Sequence, residues 1–381
     1  MKICLYVSGV ILALGLSSKN LGNTGKKIFS AVLLMILVIL MAEYSLNYSW
    51  DNRNYQNTYN LVCSNDYEGT TEAGYLVFNK IGSILGLDYL AFRYFYFIFF
   101  VTLFYYSIKR LTDSYGMFYV FYFLYPVFKD AEQIRIFAAY VLIIFGFYYL
   151  CLEKKSYVKY LLCCLFASLF HVSAVSFVFL LVPDLPGRYK KSMIKIMTAA
   201  SMIFVVLFLS ARSLFIGVLQ KMVLLIDAER GGAYINGSSR FGFLVPAIIF
   251  SVLFFISWTA ERSMADMAEV HLKRMQLTVS RGMLYRRGTY TDVKREIYLS
   301  RILSVMAVLT IPFTTMNLHF YRLGRMFAMY ILIAVLGNMK YVKCKDRYKI
   351  YIGVLIILAG FLFFDFYMFG PFSNLLALFV K

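Results

Sequence analysis

Long apolar runs divided by short polar breaks make up most of the chain. A helix that crosses a bilayer needs about 20 predominantly apolar residues, with roughly 17 to 25 tolerated. Runs that fit occur at 3–18, 28–47, 89–108, 115–129, 134–152, 196–212, 241–260, 299–317, 324–339 and 350–369. No small-residue cleavage site follows the first, which reads as an uncleaved helix rather than a secretory signal. The stretch 74–87 is too short to cross and reads as an interfacial or re-entrant helix. No linker rich in Pro, Gly or Ser and no internal repeat interrupts the pattern. It predicts an all-α, polytopic transmembrane helical bundle of about 10–12 membrane helices. The whole chain, 1–381, reads as a single integral membrane domain.

Composition narrows the class further. Hydrophobic residues make up 61% and charged residues 15%, a mix that no water-soluble monomer could fold without exposing large apolar patches. A cytosolic enzyme and a disordered chain are both excluded. The 39 Lys and Arg outnumber the 20 Asp and Glu, giving a net charge of +19. Such a charge could attract nucleic acid, but here it falls in short loops between apolar runs, where it orients a membrane protein with its basic loops in the cytoplasm. Nucleic acid is therefore not an expected partner. Cys4, Cys63, Cys151, Cys163, Cys164 and Cys344 show no CxxC spacing and signal neither a zinc site nor a disulfide framework.

Charge placement also sets an expected topology. Segment 261–298, with Arg262, Lys273, Arg274, Arg281, Arg286, Arg287, Lys294 and Arg295, is expected to be a cytoplasmic loop. Segment 48–73 holds Asp51, Asp66, Glu68 and Glu72 against Arg53 alone and is expected outside, as is 213–240. These assignments are compatible only if 157–182 does not cross. That stretch is expected to break near His171 and to enter and leave on the cytoplasmic side.

Ionisable groups at membrane depth mark candidate sites, because a charge at the bilayer centre costs roughly 3 kcal/mol even on insertion scales. His171 stands among apolar residues in ASLFHVSA. It could order the core through a hydrogen bond, or act as a general base, since imidazole titrates near neutral pH. Arg135 opens a helix beside Asp130 and Glu132, where an arginine can also be a snorkelling anchor. Arg322 and Arg325 are three apart in YRLGRMF and are expected to share a helical face. Two forked guanidiniums suit a diphosphate. Asp51, Tyr55 and Tyr59 are four apart, which stacks them on one face; aromatic and carboxylate groups are the materials of a sugar site, although interfacial tyrosines are also ordinary belt residues. Glu72 and Arg240 are further charged residues of the two expected external loops. No Gly-rich phosphate loop, HExxH, GxSxG or DxD pair occurs in its required context, so neither a metal nor a cofactor is expected.

Taken in order, several segments resemble one known family. They are the stretch with Asp51, Tyr55 and Tyr59, TEAGYLVFNKIGSILG with Glu72, Gly74 and Tyr75, QIRIFAAY with Arg135, LFHVSA with His171 and Ser173, and YRLGRMF with Arg322 and Arg325. The set resembles the EpsG-like, Wzy-type membrane polymerases of bacterial exopolysaccharide, capsule and O-antigen. The resemblance implies a metal-independent glycosyltransferase of the bacterial plasma membrane. Such an enzyme would join oligosaccharide repeat units carried on polyprenyl diphosphate at the outer face. In such an enzyme His171, or failing it Glu72, is expected as the catalytic base, Arg135, Arg322 and Arg325 as diphosphate ligands, and Asp51, Tyr55, Tyr59 and Arg240 as sugar ligands. Membrane lipid, a flippase and a chain-length regulator would be its partners. The rival readings are a flippase or transporter of the same lipid-linked sugars and a polysaccharide-modifying membrane acyltransferase.

Overall fold

Helix boundaries in this protein follow local chemistry. The structure is a computed structural model that describes residues 2–18, 21–44, 50–112, 115–152, 155–184, 217, 221, 243–279, 290–311, 314 and 321–369. Arg240, most of 213–240 and the expected 196–212 helix lie outside the described residues. Helices α1 (Lys2–Ser17) and α2 (Asn23–Glu43) open the chain. Next come α3 (Trp50–Ser64) and α4 (Ala73–Ile84), so the segment expected as an external loop over 48–73 is in large part helix. The reason is amphipathic spacing: Asn52, Tyr55 and Tyr59 bury one side of α3 while Arg53, Asn54, Asn57 and Asn60 are exposed on the other. The Asp88 carboxylate accepts the Ala91 N–H at 2.7 Å and caps α5 (Tyr89–Leu111).

The run at 115–129 is not one helix but two, α6 (Tyr115–Leu124) and α7 (Pro126–Glu132). Pro126 lacks an N–H to continue α6 and is suited to start α7. Then follow α8 (Ile134–Cys151), α9 (Tyr157–Ser168) and a 3-10 helix over Val172–Asp184. After these come α10 (Leu244–Val279), α11 (Tyr290–Leu309), α12 (Tyr321–Gly337) and α13 (Cys344–Phe369). Helix α10 continues through much of the basic segment expected as a loop over 261–298, a stretch that has neither Gly nor Pro before Val279 to stop it. All regular structure among the described residues is helical.

The protein is a polytopic helical membrane protein. Among the described residues five helices are both long and apolar enough to cross a bilayer: Asn23–Glu43, Tyr89–Leu111, Ile134–Cys151, Leu244–Met264 and Cys344–Phe364. The apolar helices α1, α6 and α9 are shorter, and α11 carries charged residues through its first half.

The break near His171 is present. Helix α9 stops at Ser168 and the chain turns back through 169–171 into the 3-10 helix. The two limbs touch, with Tyr160 Oη donating to the Phe177 carbonyl at 2.7 Å. Their open ends meet where Lys155 Nζ lies 2.6 Å from Asp184 Oδ1. Asp184 also pairs with Arg295 of α11, whose Nε donates to the Leu150 carbonyl at 2.7 Å. The stretch is thus a hairpin with both feet at one end of the bundle.

The bundle has two chemically distinct ends. One gathers the feet of the hairpin, the Thr112 hydroxyl on the Gly337 carbonyl at 2.6 Å, and the Lys343 N–H on Ser263 Oγ at 2.8 Å. Lys109, Arg110, Lys155, Lys159, Arg295 and Lys340 lie at or beside the helix ends there. The opposite end gathers the C-terminus of α2, helices α3 and α7, and the starts of α4, α5, α8 and α12.

Candidate functional site

The opposite end is where most of the candidate residues come together. Arg135, in the first turn of α8, pairs with Glu72, the residue that precedes α4. Its guanidinium carbon lies 5.3 Å from the centre of the Tyr55 ring, and Tyr55 packs edge-on to Tyr75 at 5.5 Å. Arg322, in the first turn of α12, lies 3.3 Å from Asp51 of α3. Tyr55, one turn after Asp51, feels both arginines and Asp51; burial raises its phenol above the ordinary value, against the opposing pull of Arg135. Its hydroxyl is therefore a neutral hydrogen-bonding group.

Arg325 departs from the expectation that it shares a face with Arg322. Residues three apart on a helix are separated by about 60° around the axis, and here that angle divides an open position from a closed one. The Arg322 side chain is 23% exposed and that of Arg135 24%, whereas Arg325 is 3% exposed. Arg325 Nη2 donates to Gln133 Oε1 at 2.6 Å and lies 3.5 Å from Asp130. Asp130 in turn accepts the Tyr122 hydroxyl at 2.9 Å and that of Tyr140. This buried network locks α12 to α6, α7 and the start of α8.

His171 sits at the tip of the hairpin. Its Nδ1 is 2.6 Å from Ser173 Oγ, which lies 3.3 Å from Met326 Sδ on α12, the residue next to Arg325. The tip also docks on α4, because the Gly74 N–H donates to the Leu169 carbonyl at 2.7 Å. A Cβ at position 74 would lie 2.8 Å from that carbonyl oxygen, so only glycine permits the approach. His171 and Glu72 are each two residues from this single hydrogen bond.

Tyr59, expected beside Asp51 and Tyr55 as a sugar ligand, is instead committed to packing. It is 2% exposed, its ring stacks on Phe92 at 4.5 Å, and its hydroxyl donates to the Leu87 carbonyl at 2.7 Å. The structure brings together Asp51, Tyr55, Glu72, Arg135, His171, Arg322 and, behind them, Arg325. Asp130, Gln133, Tyr122, Tyr140 and Met326 are the supporting residues that sequence reasoning did not select. Gln133 and Asp130 stand just before Arg135, and the polar cluster DAEQIR ahead of an apolar run was their only signal. Among the described residues no group of three or more His, Cys, Asp or Glu could hold a metal ion.

Helices of this length and polarity, closing over paired guanidiniums and carboxylates at one end, define a multi-pass membrane protein with a buried-charge site. A sequence model of the EpsG family matches residues 28–377, and the chain belongs to that family. Membership is consistent with a glycosyltransferase-type polysaccharide polymerase and with a role in polysaccharide biosynthesis. Comparison with curated proteins and with solved structures gave no match.

Proposed function

We propose that the chain joins oligosaccharide repeat units carried on polyprenyl diphosphate, at the outer face of a bacterial plasma membrane. The observation that carries this reading is that Arg135 lies against the Tyr55 ring and Arg322 against Asp51 one turn before it, from helices far apart in sequence, with the His171 hairpin docked on the same α4 start. Growth at a lipid diphosphate is a displacement at an anomeric carbon: an acceptor hydroxyl attacks, the bond to the diphosphate oxygen breaks, and the diphosphate leaves with the electron pair. Preorganised guanidiniums can stabilise that leaving charge in a water-poor site.

In this mechanism Arg135 and Arg322 meet the diphosphate, and Arg325 holds the floor through Asp130 and Gln133. His171 Nδ1 meets Ser173 Oγ at 2.6 Å and accepts the Ser173 N–H at 3.4 Å, and Ser173 Oγ lies 3.3 Å from Met326 Sδ, contacts that orient the ring. His171 then takes the proton of the attacking hydroxyl. Glu72 is the alternative base, since a phosphate that takes over Arg135 releases its carboxylate from the ion pair. Asp51 and Tyr55 hold sugar at the rim.

The test is incubation of purified protein in detergent with lipid-linked repeat units. Longer glycans are the expected product, and His171→Ala should abolish them while the protein remains in the membrane. Acylated glycans, or no product from wild-type protein, would overturn the reading; transbilayer movement of the lipid-linked sugar without extension would identify a flippase.

A further inference from the structure

Arg93 is the largest fully buried side chain outside the cluster just described, at 0% exposure in the first turns of α5. Its partners explain how an arginine survives there. Nε donates to the Ala42 carbonyl at 2.7 Å, and Nη2 donates to those of Met41 at 2.6 Å and Tyr44 at 3.2 Å. These are the last carbonyls of α2, which lack partners within the helix and favour a cation. The other bonds leave α2. Nη1 donates to Asn52 Oδ1, and Nη2 reaches the Ala131 carbonyl at 3.2 Å. The Tyr89 hydroxyl braces the same Asn52 oxygen at 2.8 Å.

Asn52 is the neighbour of Asp51, the partner of Arg322. Ala131 is the neighbour of Asp130, the partner of Arg325. One guanidinium therefore bonds beside both carboxylates that face the α12 arginines, and it does so from a position that no substrate reaches. We propose that Arg93 is a positioning residue: it fixes α3 and α7 against the end of α2 so that Asp51 and Asp130 hold Arg322 and Arg325 in register. A planar fork with donors in fixed directions is needed to serve three helices at once, and a lysine ammonium cannot reproduce it. The geometric part stands alone, and the effect on turnover rests on the polymerase reading.

The experiment separates the two. In protein freed of native cysteines, D51C and R322C are joined with bis-maleimidoethane, and S263C with K343C serves as a reference pair at the other end of the bundle. Arg93→Lys should lower cross-linking of the first pair several-fold and leave the second unchanged. The milder Asn52→Ala, which keeps the α2 cap, should act in the same direction without loss of extractable protein. Unchanged 51–322 cross-linking in both variants, or equal loss at both pairs, would overturn the proposal. In otherwise native protein, Arg93→Lys should raise the KM for lipid-linked repeat units about tenfold with a smaller change in kcat; an unchanged KM would overturn the positioning role. If wild-type protein extends no glycan, the polymerase reading fails and the cross-linking result is unaffected.

Discussion

Arg322 and Arg325 stand one helical turn apart in different surroundings, and substitution should separate them. Arg322→Lys keeps a charge near Asp51 but loses the fork, so polymer yield should fall about tenfold or more, the equivalent of roughly 1.4 kcal/mol of transition-state binding. Arg325→Lys should instead lower the thermal stability of detergent-solubilised protein, because Gln133 and Asp130 lose a shared donor inside the bundle. Tyr59→Phe removes one hydrogen bond, to the Leu87 carbonyl, and should cost about 1 kcal/mol with polymer synthesis intact. Tyr55→Ala should abolish synthesis. The types and spacing of Asp51, Tyr55, Glu72, Arg135 and Arg322 made them legible in the sequence. The inward turn of Arg325 and the packing of Tyr59 were not, since spacing places residues on a helix but neighbours decide which sector of it faces the interior.

At the scale of elements, the hairpin of α9 and the 3-10 helix is the least ordinary part of the bundle, because 3-10 runs are rarely this long. Its existence followed from counting basic loops: a single crossing at 157–182 would have inverted everything after it. Its docking followed from nothing in the pattern, as Gly74 reads equally well as one more small residue of a short helix. Gly74→Ala would press a methyl group on the Leu169 carbonyl. It should lower stability by about 1–3 kcal/mol and reduce polymer more than thermal stability alone predicts, because His171 moves with the tip. Comparing the apparent Tm with glycan extension in that variant checks both. The helical stacking of Asp51, Tyr55 and Tyr59 was legible from their spacing of four, whereas the surfaces that Tyr55 and Tyr59 cover were not.

For the whole molecule, the two ends of the bundle make a directional statement that native thiols can test. Cys63 lies at the end with the arginine cluster and Cys344 at the basic end, and both are exposed. In intact cells, single-cysteine proteins should react with a membrane-impermeant maleimide at Cys63 and should react at Cys344 only after permeabilisation. The reverse pattern would place the cluster in the cytoplasm and end the proposed outer-face reaction.

The pairing of Arg135 with Glu72, Arg322 with Asp51 and Arg325 with Asp130 sets three positive groups against three negative ones. Electrically these three pairs are close to balanced. On the proposed reading, an arriving pyrophosphate must compete with resident anions for its cations, so its grip is an exchange rather than a simple gain. Once the lipid carrier is ready to depart, the displaced side chains are on hand to reclaim their partners, and ejection of the spent anchor is built into the same contacts that welcomed it.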